Sequence, residues 1–99
     1  MSVFFINVYK TEPENQDEMA TIIKGAVENF ARKQPGFISA SVYRSTNTGN
    51  VTEVVEWERE EDWQAANELC KATNPDVGRV LEIAKPESAL YHHFHSRKD

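Results

Sequence analysis

Cysteine is nearly missing: there is one, Cys70, in 99 residues. No disulfide can close within the chain, and a place on the apolar side of a predicted helix suggests an inert buried thiol. Basic residues are outnumbered, 11 against 16 acidic, for a formal charge of −5. Nucleic acid and anionic membrane both call for a positive field, so neither is expected as a partner; only the closing "SRKD" is locally basic. No apolar run reaches the ~20 residues of a membrane span, and the opening "MSVFFINVY" has neither a basic leader nor a small-residue cleavage site. A soluble, cytoplasmic protein is the expectation. With 39% hydrophobic residues, the chain can bury one core but not two, hence a single domain over residues 1–99 whose end, from about 96, frays.

What is present has clear periodicity. Val3 to Lys10 is aromatic and β-branched, a strand with both faces apolar: Phe4, Ile6 and Val8 on one, Val3, Phe5, Asn7 and Tyr9 on the other. Met19, Ile22, Ile23, Ala26, Val27 and Phe30 follow the spacing of one long amphipathic helix, acidic at its start and closed by "QPG". Ile38, Ala40 and Val42 alternate with Ser39, Ser41 and Tyr43 in a second strand, and "TNTGN" turns into a third from about Val51 to Glu58. A helix begins near "REEDW", a short one follows Pro75, and a last strand runs from Ala89 to His95.

Strand, helix, strand, strand, helix pair, strand is the α+β order βαββαβ, with the second crossover split into two helices. Right-handed crossovers fold it into a ferredoxin-like layer of helices on a four-stranded antiparallel sheet. The helix-facing set is predicted as Phe4, Ile6, Val8, Ile38, Ala40, Val42, Val54, Leu90 and Phe94. The uncovered face then carries Val3, Phe5, Asn7, Tyr9, Ser39, Ser41, Tyr43, Val51, Glu53, Val55, Trp57, Tyr91 and His93. That is more aromatic surface than a monomer leaves in water. A homodimer through this sheet face is predicted, the two sheets enclosing a partly polar cavity with Glu53 inside it.

The stretch "QPGFISASVYRSTNTGNVTEVVEWEREEDW", residues 34 to 63, resembles the antibiotic biosynthesis monooxygenase family. "PGF" after the long helix, "SA" before a serine- and glycine-containing turn, and "WE" closing the third strand ahead of an acidic, aromatic helix start carry the resemblance. It implies a dimeric α/β barrel and, in some members, an oxygenase with no cofactor that turns polycyclic phenols into quinones. There the deprotonated substrate itself reduces oxygen, and the protein supplies confinement, orientation and a base. Trp57 falls on the family's strand-end tryptophan, Trp63 stands where some members have tyrosine, Glu53 replaces a strand asparagine, and Arg79 lies near an arginine of some members. The haem-degrading branch of the superfamily shares a first-strand asparagine, matched by Asn7, but needs an axial histidine, and none lies between Glu58 and Pro86.

Each candidate also has a plainer reading. Trp57 is a substrate-stacking residue or a dimer-interface side chain. Glu53 is a general base with a raised pKa, or a solvated carboxylate paired with Arg44. His93 is a neutral base or donor in the cavity. It shares a strand face with His95, but two imidazoles fall short of the three protein ligands zinc takes, so no metal is expected. Asn7 contacts ligand or a neighbouring strand; Tyr43 and Tyr91 are cavity wall. An RNA-recognition domain has the same element order, but its third strand would need basic residues where "VTEVVEWE" offers carboxylates. The expected function is oxidation of an aromatic or quinone-like small molecule without a cofactor. A non-enzymatic small-molecule or partner-binding module, or an isomerase or decarboxylase using the same cavity, are the alternatives.

Overall fold

The computed structural model describes all of residues 1–99. Four strands, β1 (Val3–Thr11), β2 (Phe37–Arg44), β3 (Val51–Trp57) and β4 (Ala84–Tyr91), form one antiparallel sheet in the order β2-β3-β1-β4. Helices α1 (Gln16–Asn29), α2 (Glu60–Thr73) and α3 (Val77–Ile83) lie on one side of it. This is the ferredoxin-like α+β fold. No helix is long and apolar enough to cross a membrane.

The ends of the elements have local causes. Pro13 opens a 3-10 turn that feeds α1, and Asp17 and Glu18 sit in the helix's first turn, where the dipole favours them. The Gln16 amide donates to the carbonyls of Ser45, Thr48 and Asn50 at 3.0–3.3 Å, fastening the β2–β3 connection to the start of α1. In "PGF", Gly36 has φ +82, and its carbonyl accepts from Glu58 N at 2.8 Å. A Cβ there would run into the Asp62 carboxylate. Gly36→Ala is therefore expected to destabilise by about 1–2 kcal/mol from the left-handed backbone alone, seen as a lower Tm. Pro86 sits in β4, an edge strand, where a missing N–H is tolerated.

Two buried clusters hold the layers together: Val3, Val55, Trp57 and Ala66 at one end, and Tyr9, Met19, Ile23 and Val51 at the other. They correct the face assignment. Val3, Asn7, Tyr9, Val51, Glu53, Val55 and Trp57 are buried beneath the protein's own helices. Phe4, Ile6, Val8 and Val54, predicted to face the helices, occupy the opposite, half-buried face. The ladder shows why. Arg44 opposes Val51, so even-numbered positions of β2 share a side with odd-numbered positions of β3: Ala40 lies across from Val55 and Val42 from Glu53. Across β1, odd pairs with odd, Asn7 with Glu53 and Phe5 with Val55.

Further corrections concern the C-terminus and β2. β4 begins at Ala84, directly after α3, and ends at Tyr91, leaving Phe94 99% exposed. His93 and His95 therefore lie past the strand rather than side by side on it. Ile38 sits at a register irregularity between Phe37 and Ser39 and is 45% exposed.

Candidate functional site

The first carboxylate to explain is Glu53, in mid-strand with valines on either side of it in sequence register. β1 and β3 place it directly opposite Asn7, and both are buried, at 8% and 6% exposure. Two residues from Asn7 along the same face, Tyr9 donates its hydroxyl to Glu53 Oε1 at 3.0 Å. Burial is the main cause of a Glu53 pKa pushed up to about 7, and the Tyr9 bond only partly offsets it by favouring the carboxylate. The same burial, with the Glu53 charge beside it, drives the Tyr9 hydroxyl far above its ordinary value, so it stays a donor. At neutral pH the pair holds a carboxyl balanced between its two forms, next to a fixed phenol.

These groups line a cavity of ≈ 230 Å³ between the sheet and the helices. It exceeds the ~150 Å³ that takes up a single benzene. Its walls are mostly apolar. Phe5 and Trp63 pack at 5.4 Å between ring centroids and Trp57 meets Phe37 edge-on at 5.9 Å, while α1 supplies Ile22, Ile23 and Ala26 and α3 supplies Val77 and Val80. Glu53 is the one carboxylate of the lining. Two buried polar atoms there lack a protein partner, Asn7 Oδ1 and Trp57 Nε1. One accepts and the other donates, so a ligand with both a donor and an acceptor would satisfy them.

Of the residues singled out in the sequence, Asn7, Glu53, Trp57 and Trp63 come together in this cavity. The others do not. His93 is exposed past the end of β4, with Nε2 2.6 Å from Ser96 Oγ. Tyr43 and Tyr91 are 58% and 50% exposed; their ladder partners Thr52 and Phe4 place them on the outer sheet face. Arg79 turns away from the cavity that its neighbours Val77 and Val80 line. It forks onto Glu18 of α1 at 2.7 and 2.8 Å, with Glu82 at 3.3 Å, so it ties helices together. Arg44 pairs with Asp17 at 2.9 Å and leaves Glu53 to Tyr9. Tyr9 itself, Phe5 and Cys70 also line the cavity and were not singled out as site residues. The alternation of β1 carries the signal for Phe5 and Tyr9, which flank Asn7 on its own face.

The profile of the antibiotic biosynthesis monooxygenase family matches residues 2–72. Tetracenomycin-F1 monooxygenase of Streptomyces glaucescens is 32% identical over 91 residues, spanning 92% of this chain and 80% of that one. Among solved structures, SnoaB of Streptomyces nogalater, a cofactor-independent oxygenase, superposes with a TM-score of 0.82 at 15% identity, covering 99% of this chain and 98% of its own. The monooxygenase ActVA-Orf6 of Streptomyces coelicolor, solved with the ligand nanaomycin D, gives a TM-score of 0.77 at 18% identity, covering 99% and 91%. These two likenesses speak for the fold; the family match and the curated relative speak for descent. The chain belongs to the antibiotic biosynthesis monooxygenase family.

Proposed function

We propose that this protein is a cofactor-independent oxygenase acting on a small, flat aromatic molecule with an acidic phenol or enolisable ring carbon. The observation that carries the proposal is the cavity's single buried carboxylate, Glu53, poised near neutrality among apolar walls. In this reading the ionised Glu53 takes the proton, Tyr9 steadies the acid–base pair, and Trp57 Nε1 and Asn7 hold the substrate's oxygens. The resulting carbanion passes an electron to dioxygen, the two radicals combine at the ring carbon, and the hydroperoxide loses water. A ring CH₂ and O₂ thus become a ring C=O and H₂O. Enclosure keeps the radical pair together and shields it from bulk water. The relatives named monooxygenase support this reading.

Oxygen uptake by the purified protein with anthrone- or hydroquinone-like substrates tests the proposal, and one oxygen molecule consumed per substrate is the expected result. Consumption of substrate without oxygen would replace it with an isomerase or decarboxylase. Binding without turnover would leave a small-molecule-binding module.

The proposal extends to a homodimer in which the outer sheet face, rather than the cavity face, meets its twin. Phe4, Ile6, Val8 and Val54 stand half-buried there with Tyr43 and Tyr91 beside them. Lys85, Glu87 and Glu56 belong to the same face by register, so it carries both signs and is suited to pairing with itself about a two-fold axis. Each chain then keeps its own cavity. Light scattering after size exclusion is expected to give twice the 11.3 kDa chain mass, and Ile6→Glu is expected to give the monomer mass while keeping the fold by circular dichroism.

A further inference from the structure

We propose that Cys70 is a covalent capture site for quinone-like electrophiles that enter the cavity. The inference rests on the oxygenase reading for where such molecules come from, but the chemistry of capture does not need turnover. Cys70 is free and half-buried, on the last turns of α2, and it is part of the cavity lining with Phe5, Trp57 and Trp63. The Asn74 amide donates to its Sγ at 3.7 Å, which orients the side chain.

A lone thiol beside empty space would say little. Here the same space is lined by Asn7 and Trp57, each of which has one buried side-chain atom, Oδ1 and Nε1, without a protein partner. They are placed to hold a molecule that has both a carbonyl oxygen and a hydroxyl. The flat aromatic walls select a planar ring system. A hydroxyquinone fits both demands, its hydroxyl donating to Asn7 Oδ1 and its carbonyl accepting from Trp57 Nε1, and the ring carbon conjugated to the carbonyl is a soft electrophile suited to sulfur. The sulfur adds to the C=C bond, the S–H proton passes to the quinone oxygen, and enolisation leaves a thioether on a hydroquinone. The quinone itself accepts the two electrons, so no outside oxidant or reductant is involved. The consequence is a protein that marks its own active cavity when its product lingers.

The test uses the full chain under anaerobic conditions with 5-hydroxy-1,4-naphthoquinone as probe and intact-mass and peptide analysis as readout. One adduct per chain, mapped to Cys70, is the expected result. The non-electrophilic 2-naphthol, at ten times its own dissociation constant, is expected to slow labelling about tenfold by occupying the cavity. Cys70→Ser, checked for folding by its Tm, is expected to take up no label. Adducts elsewhere, no adduct at all, or labelling of Cys70 at an undiminished rate with 2-naphthol bound would each overturn the proposal. Because no oxygen is present, the outcome separates from that of the oxygenase assay. Labelling without oxygen uptake sinks only the oxygenase reading, and oxygen uptake without labelling sinks only this one.

Discussion

Replacing Glu53 with glutamine is expected to cut the rate of substrate oxidation by about 10²–10⁴-fold, the usual contribution of a positioned general base, while making the protein more stable at alkaline pH. Both effects have one cause. Burial raises the Glu53 pKa from 4.5 to about 7, so between those values the folded chain holds a proton that the unfolded chain has released. Raising the pH through that window therefore destabilises the fold, and the penalty is complete above pH 7. A shift of that size corresponds to roughly 3 kcal/mol. Glutamine keeps an oxygen to accept from Tyr9 but carries no charge, so Glu53→Gln is expected to raise Tm at pH 8 and leave it nearly unchanged near pH 4. For the unaltered protein, kcat/KM should climb with pH through an apparent pKa close to 7. An activity that is flat from pH 6 to 8, or a glutamine variant as fast as the original, would remove Glu53 from the role of base.

Met19→Ala is expected to give the largest loss of stability of any single truncation, about 2–5 kcal/mol, measured as a lower denaturant midpoint with an unchanged slope. Met19 is 0% exposed and packs from α1 onto Tyr9 and Val51, the latter also 0% exposed. Removing its thioether opens a void beneath the only helix that grips the β2–β3 turn, and it also loosens the backing of Tyr9. Activity is expected to fall along with stability, since Tyr9 is the partner of Glu53. Conversion to leucine, which keeps most of the volume, should cost under ~1.5 kcal/mol.

The sequence carried the element order, the long helix and the strand-end tryptophan because each rests on local periodicity. What it left open was the side of the sheet. β1 is apolar on both faces and β3 alternates Val51, Glu53, Val55 and Trp57 with Thr52, Val54 and Glu56, so neither strand alone announces which set the helices take. β2 does announce it, through Ala40 and Val42 against Ser39 and Ser41. Carrying that to β3 demands the register, which the length of the connection from Ser45 to Asn50 sets. With the register known, Glu53 falls under the helices beside Ala40 and Val42, on one buried face with Val55 and Trp57 of the same chain. The C-terminal histidines fall outside the last strand for a related reason. A proline at position 86 looks like a terminator, yet on an outermost strand it interrupts nothing, so β4 starts earlier and stops short of them.

Ile83 closes α3 and Ala84 opens β4 without a single residue between them. A helix normally has a few free residues in which to settle its position; this one has none. The Thr11 hydroxyl, which donates to the Ile83 carbonyl, pins the junction to β1 as well. A guest pressing on Val80 therefore pulls on the sheet margin directly, and the filled or vacant condition of the interior should be readable as altered exchange of the amides of Ala84, Lys85, Glu87 and Ser88, on the far rim of the molecule.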